Sequence, residues 1–244
     1  MVTKRALQQF ERYFQEELGV EQIHDTPRLK ESNFKFLPYV KHSQVEYDTQ
    51  ITVKDSSHSF VEFTSKSAMI STIVIEEGVD FKLDFYAHEN TVVLLRCKIQ
   101  KGASCIINGY YSCSDMRNWI YIELLHEGEE SQSDLNVLGY VSNKAHCVND
   151  GLVQIGRGAK NSKGYQSMNN IILSNDAKIF SEPQLEIFNP NVECSHGCAI
   201  APISEETLYY LQSRGITHEE GVRLLEDSMY VSFLERAGVL VEEE

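Results

Sequence analysis

The sequence predicts a mainly β protein: a β-solenoid core with helices on its N-terminal and C-terminal sides. From about residue 47 to residue 192, short runs rich in β-branched and aromatic residues follow one another with a period of two. No segment between these runs has convincing helical periodicity, so βαβ units are not expected. The turn glycines Gly78, Gly102, Gly128 and Gly158 are spaced by 24, 26 and 30 residues, which is a spacing typical of stacked coils. An antiparallel sandwich also fits the strand lengths, but the coil-like spacing favours the solenoid.

A helix is predicted near the N-terminus. Thr3 is a suitable N-cap, and Gly19 ends the segment. The apolar residues of this segment share one helical face: Leu7, Phe10, Phe14 and Leu18. The pattern is then irregular as far as Tyr39. We therefore interpret residues 1–46 as an N-terminal helix followed by a linker or docking segment, and residues 47–203 as the solenoid core.

Two further helices are predicted after residue 203, where the period returns to 3.6. Ser204 is the N-cap of the first helix, which Gly215 ends. Thr217 begins the second helix with a capping box to Glu220, and this helix stops before Gly238. Its apolar residues form a single stripe: Val222, Leu225, Met229 and Phe233. Residues 204–244 are therefore predicted to form a C-terminal helical module.

The first of these two helices is apolar on more than one side, since Leu208 and Leu211 lie beside Tyr209 and Tyr210. Such a helix is either part of the core or a surface for a partner's groove. Both interpretations remain open at this point.

Composition limits the function classes. The 36 acidic and 22 basic residues give a net charge of −14, which disfavours binding to a nucleic-acid backbone. The sequence has no run of 18 apolar residues, and its polar start lacks the apolar part of a signal peptide. We therefore expect a soluble cytoplasmic protein that does not bind a membrane. In that compartment the six cysteines are expected to be free thiols, metal ligands or core residues rather than disulfides.

Residues 193–198 form the one local cluster with the character of a metal site. If this segment is extended, Cys194, His196 and Cys198 point to one side, because side chains alternate along a strand. Two thiolates and an imidazole suit zinc, copper(I) or iron–sulfur chemistry. A closed zinc site needs four ligands, and only three are local. The alternative is a pair of buried cysteines and a hydrogen-bonded histidine at the end of a sheet.

Other possible motifs are weaker. Cys97 and Cys105 lie in apolar strands and are expected in the core. His146 and Cys147 are adjacent on a predicted strand, so they face opposite sides and do not form a catalytic pair. Residues 156–162 lack the order of a phosphate loop and are predicted to be a turn between coils.

The last third of the chain carries a long, ordered series of motifs: GLVQIGRGAKNSKGYQSMNNIILSNDAKIFSEPQLEI, then NVECSHGCAI, then ISEETLYYLQSRGI. By this series the chain resembles the SufB/SufD core family of the SUF iron–sulfur cluster assembly system. The resemblance implies a right-handed parallel β-helix that pairs with a second SufB/SufD core. It also implies C-terminal helices that dock the ABC-type ATPase SufC, and a cysteine desulfurase as the source of sulfur.

Within the resemblance, Cys194 and His196 match the cysteine and histidine of the SufD-type CSHG motif. In the family this histidine lies at the interface of the paired cores and is implicated in cluster formation. A SufB-type chain has a glutamate after the histidine, where this chain has Gly197, and a further cysteine near Met168, where this chain has none. Cys198 lies outside the motif and is either an additional ligand or a packed thiol.

The resemblance thus implies a non-enzymatic scaffold subunit that holds a transient iron–sulfur cluster through Cys194 and His196 and can share it with a second subunit. From its place in the local cluster, Cys198 is a further candidate metal ligand. Two rival functions remain. One is a β-helix polysaccharide lyase or hydrolase with acidic residues such as Asp80 and Asp84 lining a groove, although their spacing also fits a solvated face. The other is a zinc-stabilised interaction module.

Overall fold

The computed structural model describes residues 49–63 and 68–239 of the chain. One group of strands in these residues is β1 (Thr49–Val53), β3 (Ala68–Ile75), β5 (Thr91–Ile99), β7 (Arg117–His126), β9 (His146–Ile155), β11 (Lys178–Phe180) and β12 (Gln184–Ile187). The other is β2 (Ser57–Phe63), β4 (Asp80–Ala87), β6 (Ser104–Cys113), β8 (Gln132–Val141), β10 (Lys163–Ile172) and β13 (Glu193–Pro202). The helices that follow are α1 (Glu205–Ser213) and α2 (His218–Ala237). The predicted N-terminal helix lies outside the described residues.

The strands form two parallel sheets that the chain visits in alternation. The order in the first sheet is β1-β3-β5-β7-β9-β11, with β12 also paired to β9, and the order in the second is β13-β10-β8-β6-β4-β2. Each strand therefore pairs with the strand one coil earlier and the strand one coil later, which gives a β-solenoid of about five turns. The predicted solenoid is confirmed, and the antiparallel sandwich is wrong, because all described strand pairs are parallel.

The coil length agrees with the spacing of the turn glycines. Ala68 pairs with Val92, 24 residues later, in the early coils. The turns stack on one another: the Gly78 amide donates to the Lys101 carbonyl at 2.9 Å. Gly78 has a φ of 69°, a left-handed conformation that glycine adopts without strain. The segment at residues 156–162 continues this stack, as predicted, since the Asn161 amide donates to a carbonyl of the next coil at 2.7 Å.

The interior of the solenoid is filled by side chains from both sheets. Cys97 and Cys105 are fully buried in this core, as predicted. Two inward-facing glycines make room for aromatic rings of the preceding coil. A Cβ atom on Gly109 would lie 2.3 Å from Cζ of Phe85, and one on Gly139 would lie 2.1 Å from Cζ of Tyr111. The rings thus occupy the space that a side chain would need.

Both predicted helices begin and end where their caps indicate. The Ser204 hydroxyl accepts a hydrogen bond from the Thr207 amide at 3.2 Å, which starts α1. Thr217 and Glu220 form a full capping box at the start of α2, and Gly238 ends this helix in a left-handed conformation. Neither described helix is long and apolar enough to span a membrane.

The helix α2 lies on the outer face of the second sheet. Phe233 is 4% exposed and packs on Tyr110, with 5.6 Å between ring centroids. Tyr230 packs on Tyr86 at 4.8 Å, and the Ser112 hydroxyl hydrogen-bonds to the Glu226 carboxylate. The helical module is therefore anchored to the solenoid by an aromatic cluster and by polar contacts.

A buried histidine joins β7 to the turn that follows it. His126 is 1% exposed, and its ring nitrogens Nδ1 and Nε2 lie 2.8 Å and 2.7 Å from the hydroxyls of Ser131 and Ser133. Burial lowers the pKa of His126 to about 4. The imidazole is therefore neutral in the folded protein at neutral pH.

This burial predicts a loss of stability in acid. Below a pH of about 6.5, the unfolded chain binds a proton at His126 that the folded chain does not bind until about pH 4. We expect the free energy of unfolding to fall by about 3 kcal/mol from this residue between these two pH values. Urea unfolding of the wild type and of His126→Asn at several pH values across this range measures this loss. The loss is the difference between the two proteins in the slope of unfolding free energy against pH. Equal slopes would show that His126 does not contribute.

Candidate functional site

The strand β13 is the last rung of the second sheet. It pairs with β10 on one side, and no described strand pairs with its other edge. In this register Cys194 lies beside Gly164, His196 beside Gln166, and Cys198 beside Met168. Gln166 and Met168 face the interior and are buried. Since paired residues of neighbouring parallel strands point to the same side, the three predicted site residues lie on the interior face, at the open end of the solenoid.

The exposure of the three residues differs. Cys194 is half-buried, whereas His196 and Cys198 are exposed, because no described coil covers them. The imidazole of His196 makes no hydrogen bond within the described part of the chain, and the Cys198 thiol lies 3.7 Å from the Ser181 carbonyl. The alternative of two buried cysteines and a hydrogen-bonded histidine therefore does not fit this end of the solenoid.

Partial burial raises the pKa of the Cys194 thiol above its ordinary value. The thiolate is the form that binds a metal. Binding at Cys194 therefore has to release a proton.

One chain does not provide a complete metal site within the residues that the structure describes, since no group of three or more His, Cys, Asp or Glu side chains is placed to hold an ion. Geometry explains this. Alternate residues of a strand are about 6.6 Å apart, whereas metal–ligand bonds are roughly 2.0–2.3 Å long. Neighbouring positions on β13 can therefore offer at most two ligands to one ion. A closed four-ligand zinc site is not formed here, and any ion bound at this end needs ligands from elsewhere.

The interior becomes polar directly beneath β13. The layer one coil further in is apolar at Leu135 and Val137, whereas β10 places Gln166 and Asn170 at inward positions. Asn149 of the first sheet adds a third buried carboxamide. The open end of the solenoid is therefore lined by hydrogen-bonding groups, whereas Leu135 and Val137 occupy inward positions one coil further in.

Asn170 is the centre of this polar layer. Its Oδ1 accepts hydrogen bonds from the Tyr111 hydroxyl at 2.8 Å and from Nδ2 of Asn149 at 2.9 Å. Its Nδ2 donates to the Ala199 carbonyl at 3.5 Å. This network connects β13 to Tyr111 of β6, three rungs away in the second sheet, so it helps to fix the position of the strand that carries Cys194.

Gln166 is less well satisfied. It is 3% exposed, its Nε2 donates to the Gly151 carbonyl at 3.4 Å, and its Oε1 has no hydrogen-bond partner. Neither this residue nor the rest of the polar layer was predicted from the sequence. The signal was the alternation of Gln166, Met168 and Asn170 in one strand, but their common inward direction follows only from the strand register.

The helical module presents a second candidate surface. Tyr209 is 73% exposed and Tyr210 is 56% exposed on α1, whereas Leu208 is buried against α2. Leu224 of α2 is also exposed. The choice that the sequence left open is thus resolved for these tyrosines, which lie on the surface and not in the core.

The acidic groove of the polysaccharide-enzyme alternative is not supported. Asp84 is fully buried at the edge of a pocket of about 320 Å³ between the second sheet and α2, where it contacts His58, Lys82 and Asn108. Asp80 is exposed four residues earlier on the same strand, about 13 Å away. Paired glycosidase carboxylates are about 5–10 Å apart, so these two aspartates do not form such a pair.

Fold and site together define a parallel β-solenoid protein with a helical module beside it. The protein presents a thiol and an imidazole on a terminal strand whose outer edge pairs with no described strand. The chain belongs to the SufBD core family. The family model described as SUF system FeS cluster assembly, SufBD core domain, matches residues 41–229. The resemblance inferred from the motifs is confirmed.

Individual relatives are similar over a shorter stretch. The iron–sulfur cluster assembly protein SufD of Escherichia coli is 34% identical over 85 residues, which are 35% of this chain and 20% of SufD. An iron–sulfur cluster assembly SufBD family protein of Staphylococcus haemolyticus is 29% identical over 103 residues, 42% of this chain and 22% of that protein. A Staphylococcus aureus protein of the same description is 28% identical over a stretch of the same length. The chain thus matches about a fifth of the length of these relatives.

Proposed function

We propose that the chain is a non-enzymatic scaffold subunit of a SUF-type complex that assembles iron–sulfur clusters. The observation that carries the proposal is the placement of Cys194 and His196 on the interior face of a terminal strand, where the described residues of one chain offer too few ligands for an ion. A donor set of this kind suits a transient cargo that is completed and released, rather than a permanent metal. Membership of the SufBD core family also supports a role in iron–sulfur cluster assembly.

A second SufB/SufD core is the proposed source of the missing ligands. The outer edge of β13, with which no described strand pairs, carries the backbone donors and acceptors that do not bond to β10, and such an edge is a template for pairing with another chain. Ile200 of this strand is exposed and adds apolar area. Pairing along this edge would cover the open end of the solenoid and bring further side chains next to His196.

The chemistry at this end follows from the donor set. The thiolate of Cys194 and a neutral ring nitrogen of His196 are soft donors that suit iron–sulfur clusters. Cys198 is the third donor in the proposal, and it is exposed on the same face. The cluster is cargo, built from iron and from sulfur that a cysteine desulfurase supplies.

The helical module is the proposed docking site for a SufC-type ABC ATPase. Its exposed Tyr209 and Tyr210 offer the apolar, aromatic surface that is enriched at protein interfaces. Because α2 is anchored to the second sheet, movement of the ATPase would be transmitted to the solenoid and to β13. In this proposal the complex is cytoplasmic and binds neither membrane nor nucleic acid, in keeping with the net charge of −14.

The proposal predicts that the assembled complex loses its cluster when the two motif side chains are removed. We expect the Cys194→Ser, His196→Ala double variant, co-expressed with its SUF partners and purified without oxygen, to carry at least tenfold less acid-labile sulfide and iron than the wild type. Ser195→Ala is the matched control, because Ser195 lies between the two residues and faces the opposite side. Native mass spectrometry measures whether the complex still forms. A full cluster content in the double variant, or equal losses in the control, would contradict the proposal.

A further inference from the structure

His196 and Gln166 are neighbours on adjacent rungs of the second sheet. Paired residues on neighbouring strands are about 4.8 Å apart in the backbone, and their side chains point to the same side. Gln166 lies one layer inside the open end, and His196 lies directly above it at the end. Within the described residues, the imidazole of His196 forms no hydrogen bond, and Oε1 of Gln166 has none either.

The amide oxygen Oε1 of Gln166 is buried without a hydrogen-bond partner in the part of the chain that the structure describes. Buried polar atoms are nearly always hydrogen-bonded, and an unsatisfied one typically costs about 1–3 kcal/mol. Gln166 is 3% exposed, and its other amide atom makes only a long contact of 3.4 Å to the Gly151 carbonyl. Oε1 lies next to Gly151, since a Cβ atom there would be 3.4 Å from it, an ordinary van der Waals distance. The amide oxygen is thus placed in the interior without a partner of its own.

We propose that Gln166 is the positioning residue of His196: its Oε1 accepts the N–H of one ring nitrogen and so directs the other nitrogen out of the open end. The inference rests on the proposed function, in which His196 is a ligand. A histidine that binds a metal usually donates its second ring N–H to an acceptor, which fixes the tautomer and the ring orientation. In this proposal the bond would also satisfy the buried oxygen, which has no other partner in the described residues.

A second buried oxygen in this layer fits the role less well. Oδ1 of Asn149 also lacks a partner. However, Asn149 belongs to the first sheet, and its Nδ2 is held by Asn170 at 2.9 Å, which fixes the direction of the amide. Gln166 is the residue that shares a register position with His196 and has the longer side chain.

The test measures the tautomer of His196 by nitrogen-15 NMR in the full chain without metal, and therefore does not depend on cluster assembly. We expect one tautomer to dominate in the wild type and in Gln166→Glu, which keeps an acceptor oxygen. We expect the tautomer mixture of an unrestrained imidazole in Gln166→Met, which keeps the length but lacks that oxygen. The same mixture in the wild type would overturn the inference even if a variant failed to fold. An unchanged single tautomer in a folded Gln166→Met would also overturn it.

A second readout separates this inference from the proposed function. Zn²⁺ alone is titrated into the wild type, Gln166→Met, His196→Ala and the double variant. We expect Gln166→Met to weaken binding by about 10–100-fold, and to have no further effect once His196 is absent. A tautomer change without any change in Zn²⁺ affinity supports the positioning role and counts against His196 as a ligand. Loss of affinity that is the same with and without His196 overturns the inference.

Discussion

The substitution Gly139→Ala is expected to destabilise the solenoid by about 3 kcal/mol, at the upper end of the usual cost of overpacking a core. The added methyl group would lie 2.1 Å from Cζ of Tyr111, well inside van der Waals contact. The ring cannot easily move away, because it is fully buried and its hydroxyl donates to Asn170 at 2.8 Å. Urea unfolding at constant m-value measures the effect as a lower midpoint.

Gly197→Ala is the matched control for this prediction. Gly197 also lies within a strand of the second sheet, but a Cβ atom there would have no neighbour within 4 Å. Its substitution is expected to change the free energy of unfolding by no more than about 0.5 kcal/mol, as for most surface changes. If both alanine variants lost the same stability, the loss in Gly139→Ala could not be attributed to the ring of Tyr111.

These two glycines illustrate what local sequence could and could not predict. Coil length was predictable because turn glycines such as Gly78 recur at that spacing, and a turn needs only its own residues. Helix boundaries were predictable at Ser204 and Thr217 for the same reason, since a cap bonds within three residues. The fit of Gly139 to Tyr111 depends on a pairing between strands 28 residues apart. Nothing within either strand signals that the two positions stack.

The candidate site was also only partly predictable from the sequence. Alternation alone predicted that Cys194, His196 and Cys198 share one side of a strand. It did not predict that this side is the interior face, or that the strand is the last rung, because both depend on the pairing of β13 with β10. The proposed role of Gln166 could not be predicted from the sequence for this reason, because it depends on the pairing of Gln166 with His196.

The largest effect in the helical module is expected from Phe233→Ala. Removing a buried phenylalanine side chain typically costs about 3–5 kcal/mol, and Phe233 is buried between α2 and the ring of Tyr110. The loss falls on the contact between module and solenoid, because Phe233 touches the outer face of the second sheet and not the interior. We expect the amides of α2 to exchange with solvent at least a hundredfold faster in Phe233→Ala, while the amides of β6 and β8 keep their protection.

Leu224→Ala is the control on the same helix, since Leu224 is exposed and its truncation should leave exchange in α2 within a few-fold of the wild type. Faster exchange throughout the solenoid in Phe233→Ala would show that module and solenoid unfold as one cooperative unit. Unchanged exchange would mean that the remaining contacts hold α2 alone, namely Tyr230 with Tyr86 and Glu226 with Ser112. Selective loss would instead identify the aromatic cluster as the main contact that holds α2 on the solenoid. The proposed function needs such a contact, because it is the route by which the proposed ATPase partner would move the solenoid.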